Sequence, residues 1–155
     1  MIPAPFDRTL DEFLSGTGEL DVDRIFAKDF RRVLDEFAIA APDDLIPRGP
    51  SWPSVVSPML HYRQVPAGVM LYDGDQPIGG YLSCDLSLDE RHQGKGLGAE
   101  IVIERCLLDG ENPVLHLDEA AYSPAGLAAH LAAWRRVRRD HAETALRISR
   151  TERWT

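Results

Sequence analysis

Cysteine is scarce in this 155-residue chain: Cys84 and Cys106 are the only two. Two thiols cannot build a disulfide framework, and without a second pair they make no zinc site. Lysine is scarcer than its class suggests, with only Lys28 and Lys95 among 17 basic residues. No stretch approaches the roughly 18 apolar residues that span a bilayer, so no membrane segment is expected. The opening residues MIPAPFDRTLDEF have neither a basic flank nor an apolar run. They do not read as a secretory signal, and a reduced, cytoplasmic protein is expected. Basic charge is also short, since the net charge is −8. That argues against nucleic acid as a general partner, because phosphate binding needs basic surface.

What is present is globular. Hydrophobic residues make up 44% and charged residues 27% of the chain, a length and composition that fit one domain. Twelve glycines and eleven prolines imply many turns and exclude a plain helical bundle. Charge is uneven: residues 134–155 hold seven arginines against three acids, and residues 1–133 are acidic throughout. The run Trp134-Arg135-Arg136-Val137-Arg138-Arg139 reads first as a solvated helix face and second as a phosphate grip.

Periodicity divides the chain. Phe6, Leu10, Phe13 and Leu14 fall at helical spacing, and a second helix from about Asp21 carries the stripe Ile25, Phe26, Phe30, Val33, Leu34 and Phe37. Six prolines in residues 42–66 predict an irregular surface crossing. Val69-Met70-Leu71-Tyr72 is a strand, Asp73-Gly74-Asp75 a hairpin turn, and the run from Ile78 to Leu88 a second strand. Either one strand of the sheet is missing or Gly79-Gly80 bends this long run into two. An apolar helix from Ala99 to Leu108, a buried strand at Val114–Leu117, a helix from about Ala125 to Ala142 and a strand at Ala145–Ile148 complete the pattern. The expected architecture is a single α/β domain over 1–155, with a helical and proline-rich part at 1–66 and a sheet core at 67–150.

The most specific feature is Gln93-Gly94-Lys95-Gly96-Leu97-Gly98, set between a strand and a helix. Glycines there permit tight turns, and the free amides of a helix start make an anion site with the positive end of the dipole behind them. Neither Walker A nor the dinucleotide fingerprint fits its spacing. These residues resemble motif A of the GNAT superfamily of N-acetyltransferases. The resemblance covers about residues 68–148. It implies a central mixed, mostly antiparallel sheet flanked by helices, with a reduced number of strands as one option.

By that resemblance Leu86, Ser87 and Leu88 offer backbone groups to the pantetheine arm of acetyl-CoA. Gln93, Gly94, Lys95, Gly96, Leu97, Gly98 and Ala99 hold its pyrophosphate. The reaction implied is transfer of the acetyl group to a small-molecule or peptide amine, a cationic one given the acidic chain. Asp85, Asp89 and Glu90 are the carboxylates that could serve as base, or simply be solvated edge residues. The resemblance puts the acid at His130, where the family usually has a tyrosine, with Tyr122 as the other donor. Each reads equally well as a packed core residue. No metal is implied, since no histidine pair has ligand spacing. The resemblance leaves two functions: an acetyltransferase, with a homodimer as one option, and a GNAT-like module that binds CoA or a protein without turnover.

Overall fold

A computed structural model describes residues 29–109 and 124–140. Helix α1 (Phe30–Ala40) is followed by a 3-10 turn at Pro42–Leu45 and then five strands: β1 (Arg48–Pro53), β2 (Leu60–Val65), β3 (Gly68–Asp73), β4 (Gln76–Leu82) and β5 (Asp85–Leu88). A short 3-10 turn at Glu90–His92 leads to α2 (Leu97–Asp109), and α3 spans Pro124–Asp140. The strands form one sheet in sequence order, and every pairing is antiparallel. The fold class is therefore α/β, with a five-stranded antiparallel sheet and three helices among the described residues. The helical pattern of residues 6–14 and the expected strands at 114–117 and 145–148 lie outside them.

Asp29 caps α1 by accepting from the Arg31 amide at 3.4 Å. The apolar stripe then sets Phe30 and Val33 against Val65, Met70 and Leu82 on one face of the sheet. The opposite face is larger. There Trp52, Tyr62, Val69, Leu71, Ile78 and Tyr81 meet Leu97, Ile101 and Cys106 of α2 and Ala133 and Trp134 of α3. Full burial of one such large side chain is worth about 1.5–3 kcal/mol, so these two clusters hold the three layers together.

The proline-rich crossing is corrected by the structure. Residues 42–66 are not irregular: they include the 3-10 turn, β1 and β2. Pro50 and Pro53 sit on β1, which pairs only with β2 among the described strands, and an edge strand tolerates a missing N–H. β2 itself contains no proline, and its Leu60 and Tyr62 alternate inward.

The run from Ile78 to Leu88 does split between two strands, but at Ser83-Cys84, not at the glycine pair. Ser83 takes the left-handed conformation (φ 53°) that turns the chain. Gly79 and Gly80 lie inside β4, where close approach requires them. A Cβ on Gly80 would stand 2.6 Å from the Val69 carbonyl oxygen, and one on Gly79 would stand 2.6 Å from Leu88 Cδ1. Cys84 is thus an exposed turn residue and not strand-borne.

Candidate functional site

The sheet register brings β5 to its end at Leu88, opposite Gly79. Asp89 caps the following 3-10 turn, accepting from the Arg91 amide at 3.3 Å and pairing with the Arg91 guanidinium at 3.5 Å. The Gln93 side-chain amide reaches back and donates to the Leu88 carbonyl at 2.9 Å. This brace closes the loop before the glycines begin. Gly94 (φ 78°) and Gly96 (φ 83°) both take left-handed backbone that L side chains rarely adopt. Among the described residues, no atom beyond the adjoining residues lies within 4 Å of where a Cβ on either would point. Exposed Lys95 sits between them. α2 starts at Leu97, and its 13 residues set a helix dipole behind the loop. Gly98 differs from the other two glycines, having no positive φ and facing Ala129 of α3 at 3.6 Å. The junction can present helix-start amides and one lysine charge to an anion.

A second polar cluster lies directly under this helix start. Glu100, in the first turn of α2, is fully buried. Its Oε1 accepts from Ser54 Oγ at 2.5 Å and from the Tyr62 hydroxyl at 2.7 Å. Its Oε2 accepts from the Val55 and Val56 amides, both at 3.0 Å, and the Arg136 guanidinium stands 3.9 Å away. One turn later, buried Glu104 accepts from the Trp52 indole N–H at 3.2 Å. Sequence reading missed this cluster. An acid in a first helical turn is read as a favourable end charge, and nothing local says that its partners lie 38 to 46 residues earlier. Arg136 also departs from expectation, because it turns inward to Glu100 while Arg135 stays exposed.

The residues expected to do chemistry are not gathered at one point. Asp85 opens β5 at the β4–β5 turn, whereas Asp89 lies past the other end of that strand. Leu86 and Leu88 pack toward the α2 face, and buried Ser87 lies between them in the strand, opposite Gly80. Tyr122 lies outside the described residues. His130 is buried on α3 with both ring nitrogens engaged: Nδ1 is 2.7 Å from the Gly126 carbonyl and Nε2 is 3.0 Å from the Tyr81 hydroxyl. A carbonyl only accepts, so Nδ1 carries the proton and Tyr81 donates to Nε2.

Burial lowers the His130 pKa to about 4, with the Gly126 hydrogen bond pulling the other way. The imidazole is therefore neutral at pH 7. A folded pKa below the unfolded value of about 6.5 means the unfolded chain binds the extra proton first. Stability linked to His130 is thus intact above pH 6.5 and is lost as pH falls from 6.5 toward 4. The full loss is about 3 kcal/mol, at about 1.4 kcal/mol per pH unit. Urea unfolding across this range should show the fall in the parent and a much smaller one in His130→Gln.

Burial likewise pushes the Cys106 thiol far above its ordinary range, which makes it an inert core residue. Among the described residues no group of three His, Cys, Asp or Glu side chains could hold a metal ion. No described helix is long and apolar enough to cross a membrane. No family model, curated protein or solved structure matches the chain.

Proposed function

We propose that the chain is an acetyl-CoA-dependent N-acetyltransferase of GNAT type that acts on a cationic amine. The observation that carries this reading is the junction of β5 and α2. Two left-handed glycines there, just before a helix start, face open space among the described residues, at the end of an antiparallel sheet. In this reading the amides around Gly94–Ala99 and the Lys95 ammonium bind the diphosphate. The outer edge of β5 at Leu86–Leu88 offers backbone groups to the pantetheine amides, as one strand pairs with another. The amine nitrogen attacks the thioester carbonyl, the C–S bond breaks, and the amine loses a proton while the thiolate gains one. In this reading Asp85, half-buried at the start of β5, accepts the amine proton, directly or through water. Asp89 is committed to its cap and to Arg91. Tyr122 is assigned the acid, because a phenol keeps its proton at neutral pH.

A second reading is favoured by one observation: His130, at the position the resemblance gives to the acid, is neutral and engaged at both nitrogens. A module that binds acyl-CoA without turnover fits that fact. Consumption of acetyl-CoA over a panel of polyamines, aminoglycoside-like amines and basic peptides separates the two. The enzyme reading expects turnover with at least one amine, and a fall of about 10²-fold or more in Tyr122→Phe at unchanged CoA affinity. CoA binding with no turnover on any amine supports the module.

A further inference from the structure

The antiparallel register places two loops at one end of the sheet. Pro53 faces His61, Leu60 faces Asp73, Asp73 faces Gln76 and Gly79 faces Leu88. The connection 54–59 between β1 and β2 therefore emerges on the same side as the loop that follows Leu88. Glu100 binds both. Its backbone amide donates to the Gly96 carbonyl at 3.2 Å, closing the first turn of α2 onto the last left-handed glycine. Its carboxylate holds Ser54, Val55 and Val56. The connection is a folded unit in its own right, since Ser54 Oγ also accepts from the Ser57 amide at 3.0 Å and the Ser54 amide donates to Leu60 O at 2.9 Å.

A fully buried carboxylate with these donors has one low-energy position, because withdrawing it strands buried hydroxyls and amides. The first turn of α2 and the Ser54–Ser57 connection must then move together or stay together. We propose that Glu100 is a positioning residue that couples the Gly94–Gly96 loop to the β1–β2 connection, so that a diphosphate in the loop tightens the connection and a loosened connection weakens diphosphate binding. This inference rests on the reading of the loop as a CoA site. Coupling is reciprocal: whatever factor the connection imposes on ligand affinity, the ligand imposes on the connection.

The test uses CoA as the probe, the full chain, and two measurements: calorimetric CoA affinity and amide hydrogen exchange at Val55 and Val56. In the parent, saturating CoA should slow exchange at these two amides at least about fivefold. Ser54→Ala removes one donor to Glu100 and the acceptor for Ser57, leaving both loops' sequences otherwise intact. It should weaken CoA binding at least about fivefold, and Ser54→Thr, which keeps the hydroxyl, should restore it. Val33→Ala, in α1 on the other face of the sheet, controls for general loss of stability and should leave CoA affinity unchanged. Tight CoA binding by the parent, with Ser54→Ala within twofold of it and no change in exchange, would overturn the coupling while leaving the CoA site standing. Absence of CoA binding in the folded parent would overturn the CoA site and the coupling with it.

Discussion

Glu100→Ala should cost about 3–5 kcal/mol of stability, the range for removing one partner from a buried charged cluster. The variant leaves the Ser54 and Tyr62 hydroxyls and the Val55 and Val56 amides without this acceptor at a fully buried position. It also removes the Glu100 carboxylate from beside Arg136, whose side chain is 17% exposed. Each stranded donor costs about 1–3 kcal/mol unless water enters, and water can reach only some of them. For a chain of this length, 1 kcal/mol corresponds to about 2–4 °C in melting temperature, so a drop near 10 °C is expected. Differential scanning calorimetry of the two proteins checks it. A shift under about 3 °C would mean that the carboxylate is not held as described. Glu100→Gln should fall between the two, since it keeps the volume and one acceptor oxygen but turns an NH2 toward donors.

The second large effect falls on the ligand. Gly96→Val should weaken CoA binding by about 100-fold or more, about 2.7 kcal/mol. With φ at 83°, a β-branched residue at 96 is strained by about 1–3 kcal/mol. If the backbone relaxes to escape that strain, the loop amides turn away from their common point. If it does not, the isopropyl group stands in the open space where the diphosphate would lie. Gly98→Ala should cost little, because that position has no positive φ and its Cβ would make ordinary contact with Ala129. The two variants thus separate the two kinds of glycine in the motif. Equal affinities for Gly96→Val and the parent would remove the loop from the binding site.

Local pattern made part of this molecule readable and left another part hidden. Val69–Tyr72, the Asp73–Asp75 turn, the Leu86–Leu88 strand and the helix after Gly98 follow from alternation, turn residues and apolar period, each confined to a few neighbouring positions. The segment 42–66 reads as irregular from sequence because six prolines in one window mask where they stand. Two fall on an edge strand, one opens the 3-10 turn at Pro42–Leu45 and three lie in connections, which leaves β2 free of them. A bend at Gly79-Gly80, one of the two options the sequence leaves for this run, rests on glycine's habit of marking a break. Here the pair answers to Leu88 and the Val69 carbonyl across the sheet, while a serine bears the left-handed turn. Both errors arise from tertiary contacts that no local window contains. The same holds at the site. The glycine loop could be read because its conformational demand is written in its own residues. Glu100 and the Tyr81–His130 pair could not, because their partners are distant in sequence and only burial gives them meaning.

Thermal unfolding of the parent with and without CoA reads out occupancy of the glycine loop. A ligand that binds only the folded state at 100 times its dissociation constant stabilises it by about 2.7 kcal/mol. At about 2–4 °C per kcal/mol, the melting temperature should rise by about 5–10 °C and should track CoA concentration. A melting temperature unmoved by millimolar CoA would contradict the account.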